Sequence, residues 1–271
     1  MLGRFLTGAL LAAAMVAPAM SQTILGGDGG GAAERLPARV VLHSGWAEPD
    51  GRRIVGLRMD LKHGWKTYWR SPGAAGIPPH FDWTGSRNVA DLRIVWPRPM
   101  VFQSFGLRTI GYKDRMVLPI ALRAENPSRP IRLRLSLSYG LCEEICIPSQ
   151  QEFALDIAPG QGPEGAAAIE QALKDGPRHT GETARAECAI RPDEQRFEAR
   201  FAFASPPSAS PVVVAEGEGA VFGPLDSRLE DGVVVASGEM RASGGWIDRG
   251  AVRLTVLGAD GAYLVGGCAS G

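Results

Sequence analysis

Two cysteines separated by three residues are the feature of this sequence with the clearest chemical potential. Cys142 and Cys146 enclose Glu143, Glu144 and Ile145. This spacing allows the two Cα atoms to come within disulfide range if the chain folds back on itself. Such a small ring adds little stability, because loop-closure entropy grows with loop length. We therefore interpret the pair as an exchangeable disulfide and predict thiol–disulfide chemistry at this point of the chain.

Other interpretations of the same pair remain open. One is a structural staple that fixes a loop, within a two-domain β protein whose disulfides are inert. Another is a metal site, because two thiolates can hold a soft ion such as Cu(I). A closed zinc site would need two further ligands from elsewhere. The histidines stand at positions 43, 63, 80 and 179, so none of them is close to the pair in sequence.

The acidic residues between the cysteines bear on how the pair reacts. Glu143 and Glu144 place negative charge next to the sulfurs, and like charge disfavours the thiolate form of a cysteine. We expect a poor attacking nucleophile. The disulfide then waits for an incoming thiolate, or the dithiol reduces a partner only after docking.

The other two cysteines have a different setting. Cys188 and Cys268 bracket the C-terminal part of the chain. A bridge across that span restricts the unfolded chain by about 4 to 5 kcal/mol in the loop-entropy model. A small domain with a thin core gains much from such a link. We predict that these two form a structural disulfide.

The elements that must position the first pair are β-strands. Residues 131–139 alternate apolar and polar side chains, and Phe153, Leu155 and Ile157 repeat this period of two after a loop. The cysteine pair therefore falls on the connection of a hairpin. Further strand candidates lie at 40–42, 54–61, 92–96 and 116–122. Short strands with turn residues between them predict an antiparallel sandwich.

The C-terminal half is predicted to contain a linker and a second β domain. We place the first domain at 38–158, the linker at 159–186 and a smaller β domain at 187–271. Within the linker, Pro163 favours a first helical turn, and Gly176 with Pro177 favours a stop, so we predict a helix over 164–174. Further strand candidates are residues 197–203, 212–215, 233–236, 252–257 and 263–265. The predicted fold class is all-β.

The N-terminus is typical of a secretory signal. Arg4 gives a positive start, residues 5–16 form a short apolar run, and Ala17, Pro18 and Ala19 supply a small-residue cleavage region. We expect residues 1–21 to be removed and the glycine-rich segment 22–37 to be a flexible lead-in. The expected location is the periplasm, an oxidising compartment.

Charge and hydropathy narrow the classes of partner. Lys plus Arg and Asp plus Glu each number 29, so there is no charge excess of the kind that binds nucleic acid. No later segment is apolar over the length that spans a bilayer, and we expect no stable membrane insertion. We also expect no bound cofactor.

Aromatic residues near Gly, Pro and Ser form another group of candidates. We expect them on loops, where they shield a reactive disulfide. These residues are Trp65, Tyr68, Phe102 and Phe105.

Four segments, taken in order, resemble the N-terminal periplasmic domain of the disulfide reductase DsbD and its relatives, which include the copper-tolerance ScsB proteins. The segments are 63–70, 105–106, 111–120 and 139–148, and the resemblance covers roughly residues 40–157. It implies an immunoglobulin-like sandwich with an exposed cysteine pair at Cys142 and Cys146. It also implies an aromatic flap over the pair at 102–106, with Trp65 and Tyr68 beside the site.

The resemblance implies partners as well. Family domains pass electrons from a membrane thiol carrier to thioredoxin-fold periplasmic proteins. The best-known member has a longer spacer between its cysteines, so we expect a different potential and partner choice here. Larger members continue into membrane and thioredoxin-like domains, whereas we expect this chain to be a stand-alone oxidoreductase-like component with a separate electron source. The alternative is a copper-handling or adaptor module that uses the same thiols as soft ligands.

Overall fold

A computed structural model describes residues 36–104, 106–179, 186–203, 210–242, 247–259 and 261–270. The chain divides into Met1–Leu36 and a compact unit, Pro37–Gly271. The predicted signal peptide, the lead-in up to residue 35, and Phe105 lie outside the described residues. Within the described part of the chain, no helix is long and apolar enough to cross a membrane.

The first half of the compact unit is a sandwich of two antiparallel sheets. One sheet has the strand order β1-β2-β8-β5, and the other has the order β10-β9-β3-β7-β6, with β4 paired to β9. The strands are β1 (Ala38–Ala47), β2 (Arg52–Leu61), β3 (Lys66–Gly73), β4 (His80–Asp82), β5 (Asp91–Ile94), β6 (Met100–Ser104), β7 (Leu107–Lys113), β8 (Arg115–Arg123), β9 (Ile131–Cys142) and β10 (Cys146–Ile157).

The core of this sandwich follows from the alternation in the sequence. Along β9, Leu133, Leu135 and Leu137 are buried while the residues between them are partly exposed, as expected for a strand with one face on the core. They pack with Leu57 and Leu118 of the opposite sheet in one apolar cluster. The predicted strand at 131–139 is confirmed, and it runs on to the first cysteine of the pair.

A short helix follows the first sandwich, as predicted for the linker. Helix α1 (Ala166–Lys174) begins two residues later than predicted. Gly165 occupies the N-cap in the left-handed region, so Pro163 does not lie in the first turn, and that part of the prediction is wrong. The helix ends at Lys174, directly before Asp175, Gly176 and Pro177, where a stop was expected.

The helix packs on the first sandwich and covers the outer side of one sheet. Ile169 and Ala172 are buried in an apolar cluster with residues of β2 and β8. Gly56 makes room for this contact, because a Cβ there would lie 2.5 Å from Ile169 Cγ1. The other members of the cluster are Ile54, Val117 and Ala121.

The remaining residues form a second, smaller β structure, as predicted. Its sheets have the orders β11-β18-β17-β14 and β15-β16-β13-β12-β19. The pairs β11–β18 and β12–β19 are parallel. The strands are β11 (Arg178–His179), β12 (Ala186–Arg191), β13 (Arg196–Ala202), β14 (Val212–Glu216), β15 (Ala220–Glu230), β16 (Val233–Ala242), β17 (Arg253–Leu257), β18 (Ala262–Gly266) and β19 (Cys268–Ser270).

The two β structures are joined through side chains. Leu257 and Ala262 of the second structure belong to the apolar cluster of the first. Arg70 of β3 forms an ion pair with Glu216 of β14, with Nη2 and Oε2 2.7 Å apart. The all-β fold class is thus confirmed, while the domain boundaries at 158 and 187 stay a prediction.

Candidate redox site

The cysteine pair lies at the tip of the longest hairpin in the first sandwich. Cys142 ends β9, Cys146 begins β10, and the two are register partners joined by a disulfide, with Cα atoms 4.1 Å apart. The connection is a three-residue turn in which the Glu143 amide donates to the Ile145 carbonyl at 3.2 Å. Ile145 is 67% exposed. The disulfide therefore closes the solvent-facing end of two regular strands.

The two sulfur-bearing residues differ in accessibility. Cys142 is 1% exposed, whereas Cys146 is only partly buried. An incoming thiolate must reach the sulfur that it attacks, and exchange rates depend on that access. The geometry therefore favours attack on Cys146, with Cys142 as the residue whose sulfur leaves.

Tyr68 contacts the buried sulfur directly. Its hydroxyl donates a hydrogen bond to Cys142 Sγ at 2.8 Å and lies 3.6 Å from Cys146 Sγ. Burial of the ring raises the pKa of Tyr68, so the phenol keeps its proton and acts as a donor. The prediction placed Tyr68 on a loop, but it lies in β3 and is 1% exposed. The loop assignment is wrong, because both faces of β3 are covered at this point.

The ring of Tyr68 is held between two backbone segments that contain glycine. A Cβ on Gly140 of β9 would lie 3.1 Å from Tyr68 Cδ2 and 2.7 Å from Ile77 Cβ. A Cβ on Gly76 would lie 2.9 Å from Tyr68 Cδ1. Real Cβ contacts of this length are rare, so both positions need glycine for the ring to fit. This close packing fixes the hydroxyl at the sulfur.

The hairpin of β6 and β7 meets the site through Lys66. The ammonium of Lys66 lies 5.0 Å from the centre of the Phe102 ring and 3.5 Å from Ser104 Oγ. Ser104 Oγ is in turn 3.1 Å from Thr109 Oγ1. Phe102, expected on a flap loop, lies instead in β6, because the β6–β7 ladder extends through Ser104 and Leu107.

Lys66 itself was missed from the sequence. It is the register partner of Cys142 on one side and of Lys113 on the other. Lys66 and Tyr68 are two residues apart in the same strand, so their side chains share a face. That spacing was visible in the sequence, but it carries information only once residues 66–73 are known to form a strand.

The turn between β2 and β3 lies against the acidic residue next to Cys142. Gly64 has φ +85°, and a Cβ at that position would collide with the carboxylate of Glu143. Trp65 follows, with its amide donating to the Lys62 carbonyl at 3.0 Å and its side chain packed against the first core. A shielding role for Trp65 stays a prediction, as it does for Phe102, and Phe105 lies outside the described residues.

The second cysteine pair has a different environment. Cys188 of β12 and Cys268 of β19 are joined by a disulfide with Cα atoms 5.3 Å apart. They are 0% and 9% exposed and belong to the core of the second β structure. Arg249 Nη2 donates to the Cys188 carbonyl. Over the part of the chain that is described, no cluster of three or more His, Cys, Asp or Glu suited to a metal is formed.

Comparison with known proteins adds to this picture. Residues 34–158 match the family described as thiol:disulfide interchange protein DsbD, N-terminal. The crystal structure of the N-terminal periplasmic domain of ScsB from Proteus mirabilis is similar, with a TM-score of 0.68 and 21% identity, over 88% of this chain and 96% of that chain. A further match is the Neisseria meningitidis DsbD N-terminal domain in the reduced form, with a TM-score of 0.29 and 18% identity, over 46% and 90% of the respective chains. Among curated proteins none matches.

Proposed function

We propose, from the match of residues 34–158 to the family of DsbD N-terminal domains, that this chain is a periplasmic thiol–disulfide exchange protein. It passes electrons through Cys142 and Cys146 to or from thioredoxin-fold partners, with a membrane thiol carrier as the second partner. One observation carries the proposal. The disulfide closes a hairpin tip, Cys146 is only partly buried, and the Cys142 sulfur is bonded to the Tyr68 hydroxyl.

The exchange step can be written with all atoms accounted for. A partner thiolate attacks Cys146 Sγ, a new sulfur–sulfur bond forms between partner and Cys146, and the Cys142–Cys146 bond breaks. Cys142 leaves as a thiolate, and the Tyr68 hydroxyl donates to it. A second partner thiolate then attacks the partner's own sulfur in the mixed disulfide and releases Cys146. The partner is oxidised by two electrons, and the pair is reduced.

The reverse direction uses the same intermediate. The Cys146 thiolate attacks a partner disulfide, and the Cys142 thiolate resolves the mixed disulfide by attacking Cys146 Sγ. The acidic Glu143 and Glu144 disfavour free thiolates, which supports exchange on a docked partner over reaction with small oxidants. The predicted signal peptide over residues 1–21 and the presence of four cysteines support an oxidising compartment.

Trapping of the mixed disulfide tests the proposal. A thioredoxin-fold protein is prepared with a single active-site cysteine that carries a thionitrobenzoate leaving group. The Cys142→Ser variant, reduced at Cys146, is expected to displace that group and to accumulate as a covalent complex. The Cys146→Ser variant is expected to react at least about tenfold more slowly, because Cys142 is buried. Complex formation is followed on non-reducing gels.

The control is the double variant Cys142→Ser and Cys146→Ser, which keeps the Cys188–Cys268 bridge and should trap nothing. Failure of both single variants to form a complex would overturn the exchange function. A preference for Cys142 over Cys146 would overturn the assignment of the attacked sulfur. The reduced protein is also titrated with Cu(I). Tight binding that both single variants lose, without any trapped complex, would point to the copper-binding alternative.

A further inference from the structure

Lys66 occupies the position best placed to respond to charge on the leaving sulfur. It is directly opposite Cys142 in the β3–β9 pair, where directly opposite residues have Cβ atoms about 4.5 to 5.5 Å apart. Tyr68, on the same face two residues along β3, already reaches Cys142 Sγ with its hydroxyl. The Cys142 sulfur thus lies on the face of the sheet that carries both the Tyr68 hydroxyl and the Lys66 ammonium.

With the disulfide closed, the Lys66 ammonium is engaged elsewhere. It lies over the Phe102 ring at 5.0 Å and near Ser104 Oγ at 3.5 Å. Both contacts are weaker than a pair with a full negative charge, because one is a cation–π contact and the other a bond to a neutral hydroxyl. Within the described part of the chain, no carboxylate lies within ion-pair distance of Lys66.

We propose that Lys66 is a positioning residue that changes partner during exchange. It holds Phe102 and Ser104 of the β6–β7 hairpin while the disulfide is closed, and it pairs with the Cys142 thiolate once the disulfide opens. This inference rests on the proposed function and deepens it. Breaking the sulfur–sulfur bond would then loosen the hairpin, so that chemistry at the disulfide and the state of the hairpin are coupled.

Other charged groups near the site set the size of this effect. Glu143 and Glu144 in the turn oppose a negative sulfur, while the Tyr68 hydroxyl and Lys66 favour it. Lys113 is the register partner of Lys66 on β7, one strand further from Cys142. Neighbouring strands are about 4.8 Å apart, so Lys113 carries the same charge as Lys66 but lies one strand further from Cys142. It is therefore a matched control.

The first experiment measures the pKa of Cys142 from thiolate absorbance in the Cys146→Ser background, where only this thiol titrates. Lys66→Met is expected to raise that pKa by about one unit, or roughly tenfold in thiolate population. Lys113→Met is expected to raise the pKa of Cys142 by less than about a third of that amount. Lys66→Arg should leave this pKa unchanged, because arginine keeps the positive charge. Lys66→Gln, which also removes the charge but keeps a polar side chain, is measured in parallel in case Lys66→Met does not fold.

The second experiment follows amide hydrogen exchange of β6 in the protein with both cysteines of the pair. Wild type is expected to exchange faster after reduction with dithiothreitol, whereas Lys66→Met should exchange fast in both redox states. An unchanged Cys142 pKa, an equal effect of Lys113→Met, or no redox difference in wild type would overturn the inference. None of these measurements uses a partner protein, so a failure here is separate from a failure of the trapping experiment.

Discussion

At the scale of single residues, the Tyr68 hydroxyl is the group bonded to the Cys142 sulfur, which leaves as a thiolate in the proposed exchange. The bond of 2.8 Å becomes charge-assisted when the sulfur carries a negative charge, and such bonds contribute about 1.5 to 3 kcal/mol. Tyr68→Phe is therefore expected to raise the pKa of Cys142 by about one to two units. Thiolate absorbance of the Cys146→Ser variant, with and without the tyrosine hydroxyl, measures this shift.

Tyr139→Phe is the matched control for that prediction. Tyr139 is also buried, its pKa is raised to about 12 by burial, and its hydroxyl donates to Gln151 Oε1 at 2.7 Å instead of to a sulfur. Tyr139→Phe also removes one tyrosine hydroxyl from this sheet, but it should leave the pKa of Cys142 unchanged. Equal shifts in the two variants would show that the effect is general loosening and not the hydrogen bond.

At the scale of elements, the site depends on how closely β9 approaches the Tyr68 ring. The Gly140→Ala substitution adds a Cβ that would lie 2.7 Å from Ile77 and 3.1 Å from the ring. Overpacking of this kind typically costs about 1 to 3 kcal/mol. We expect a loss of stability in that range in denaturant unfolding, together with a raised Cys142 pKa, because the ring and its hydroxyl are displaced.

Gly266→Ala supplies the comparison for this prediction. Gly266 also lies in a strand, and a Cβ there has nothing within 4 Å. The change should be close to neutral, since the added methyl meets open space and alanine restricts the unfolded chain. If Gly140→Ala were as neutral as Gly266→Ala, the close fit around Tyr68 would not control the site.

Strands β9 and β3 show which elements the sequence could and could not predict. Strand β9 was predictable because Leu133, Leu135 and Leu137 alternate with polar residues and face a single core. Strand β3 was not, because the adjacent Tyr68 and Trp69 are both buried, one toward the sulfurs and the other in the sandwich core. A strand covered on both faces has no period of two, and without that signal the nearby Gly, Pro and Ser favoured a loop for its aromatic residues.

Strand β6 was hidden for the opposite reason. Met100, Val101 and Leu107 of the β6–β7 hairpin are exposed apolar residues, so hydrophobicity does not separate the two faces there. Lys66 could not be recognised as a site residue from the sequence, because only its pairing with Cys142 across the two strands places it at the site. Strands β3 and β9 are distant in the sequence, so neither segment alone reveals how the two are aligned.

At the scale of the whole molecule, the two disulfides differ in where they lie. The Cys142–Cys146 bridge joins neighbours at an open tip, whereas the Cys188–Cys268 bridge ties β12 to β19 inside a core. The two β structures are held together separately, by the Arg70–Glu216 ion pair and by shared apolar packing. Opening the first bridge therefore leaves the links that maintain the fold in place.

Unfolding experiments test whether the two disulfides contribute differently to stability. The sequence separations are 4 and 80 residues for the two bridges, and the loop-entropy model then assigns them about 2 and about 4 to 5 kcal/mol. Replacing both Cys188 and Cys268 by Ser should lower the free energy of unfolding by the larger amount, and replacing Cys142 and Cys146 by the smaller. Urea titrations of the two double variants at equal protein concentration measure the difference.

The difference in burial between the two disulfides also predicts the order in which they are reduced. A thioredoxin-fold reductant under native conditions should reduce Cys142–Cys146 first, because Cys188 is fully buried and Cys268 is only 9% exposed. Alkylation after brief reduction, read by mass spectrometry, should label the first pair alone. In denaturant both pairs should be labelled, which shows that folding provides the protection. Equal labelling of all four cysteines in the native protein would contradict the assignment of a structural role to Cys188 and Cys268.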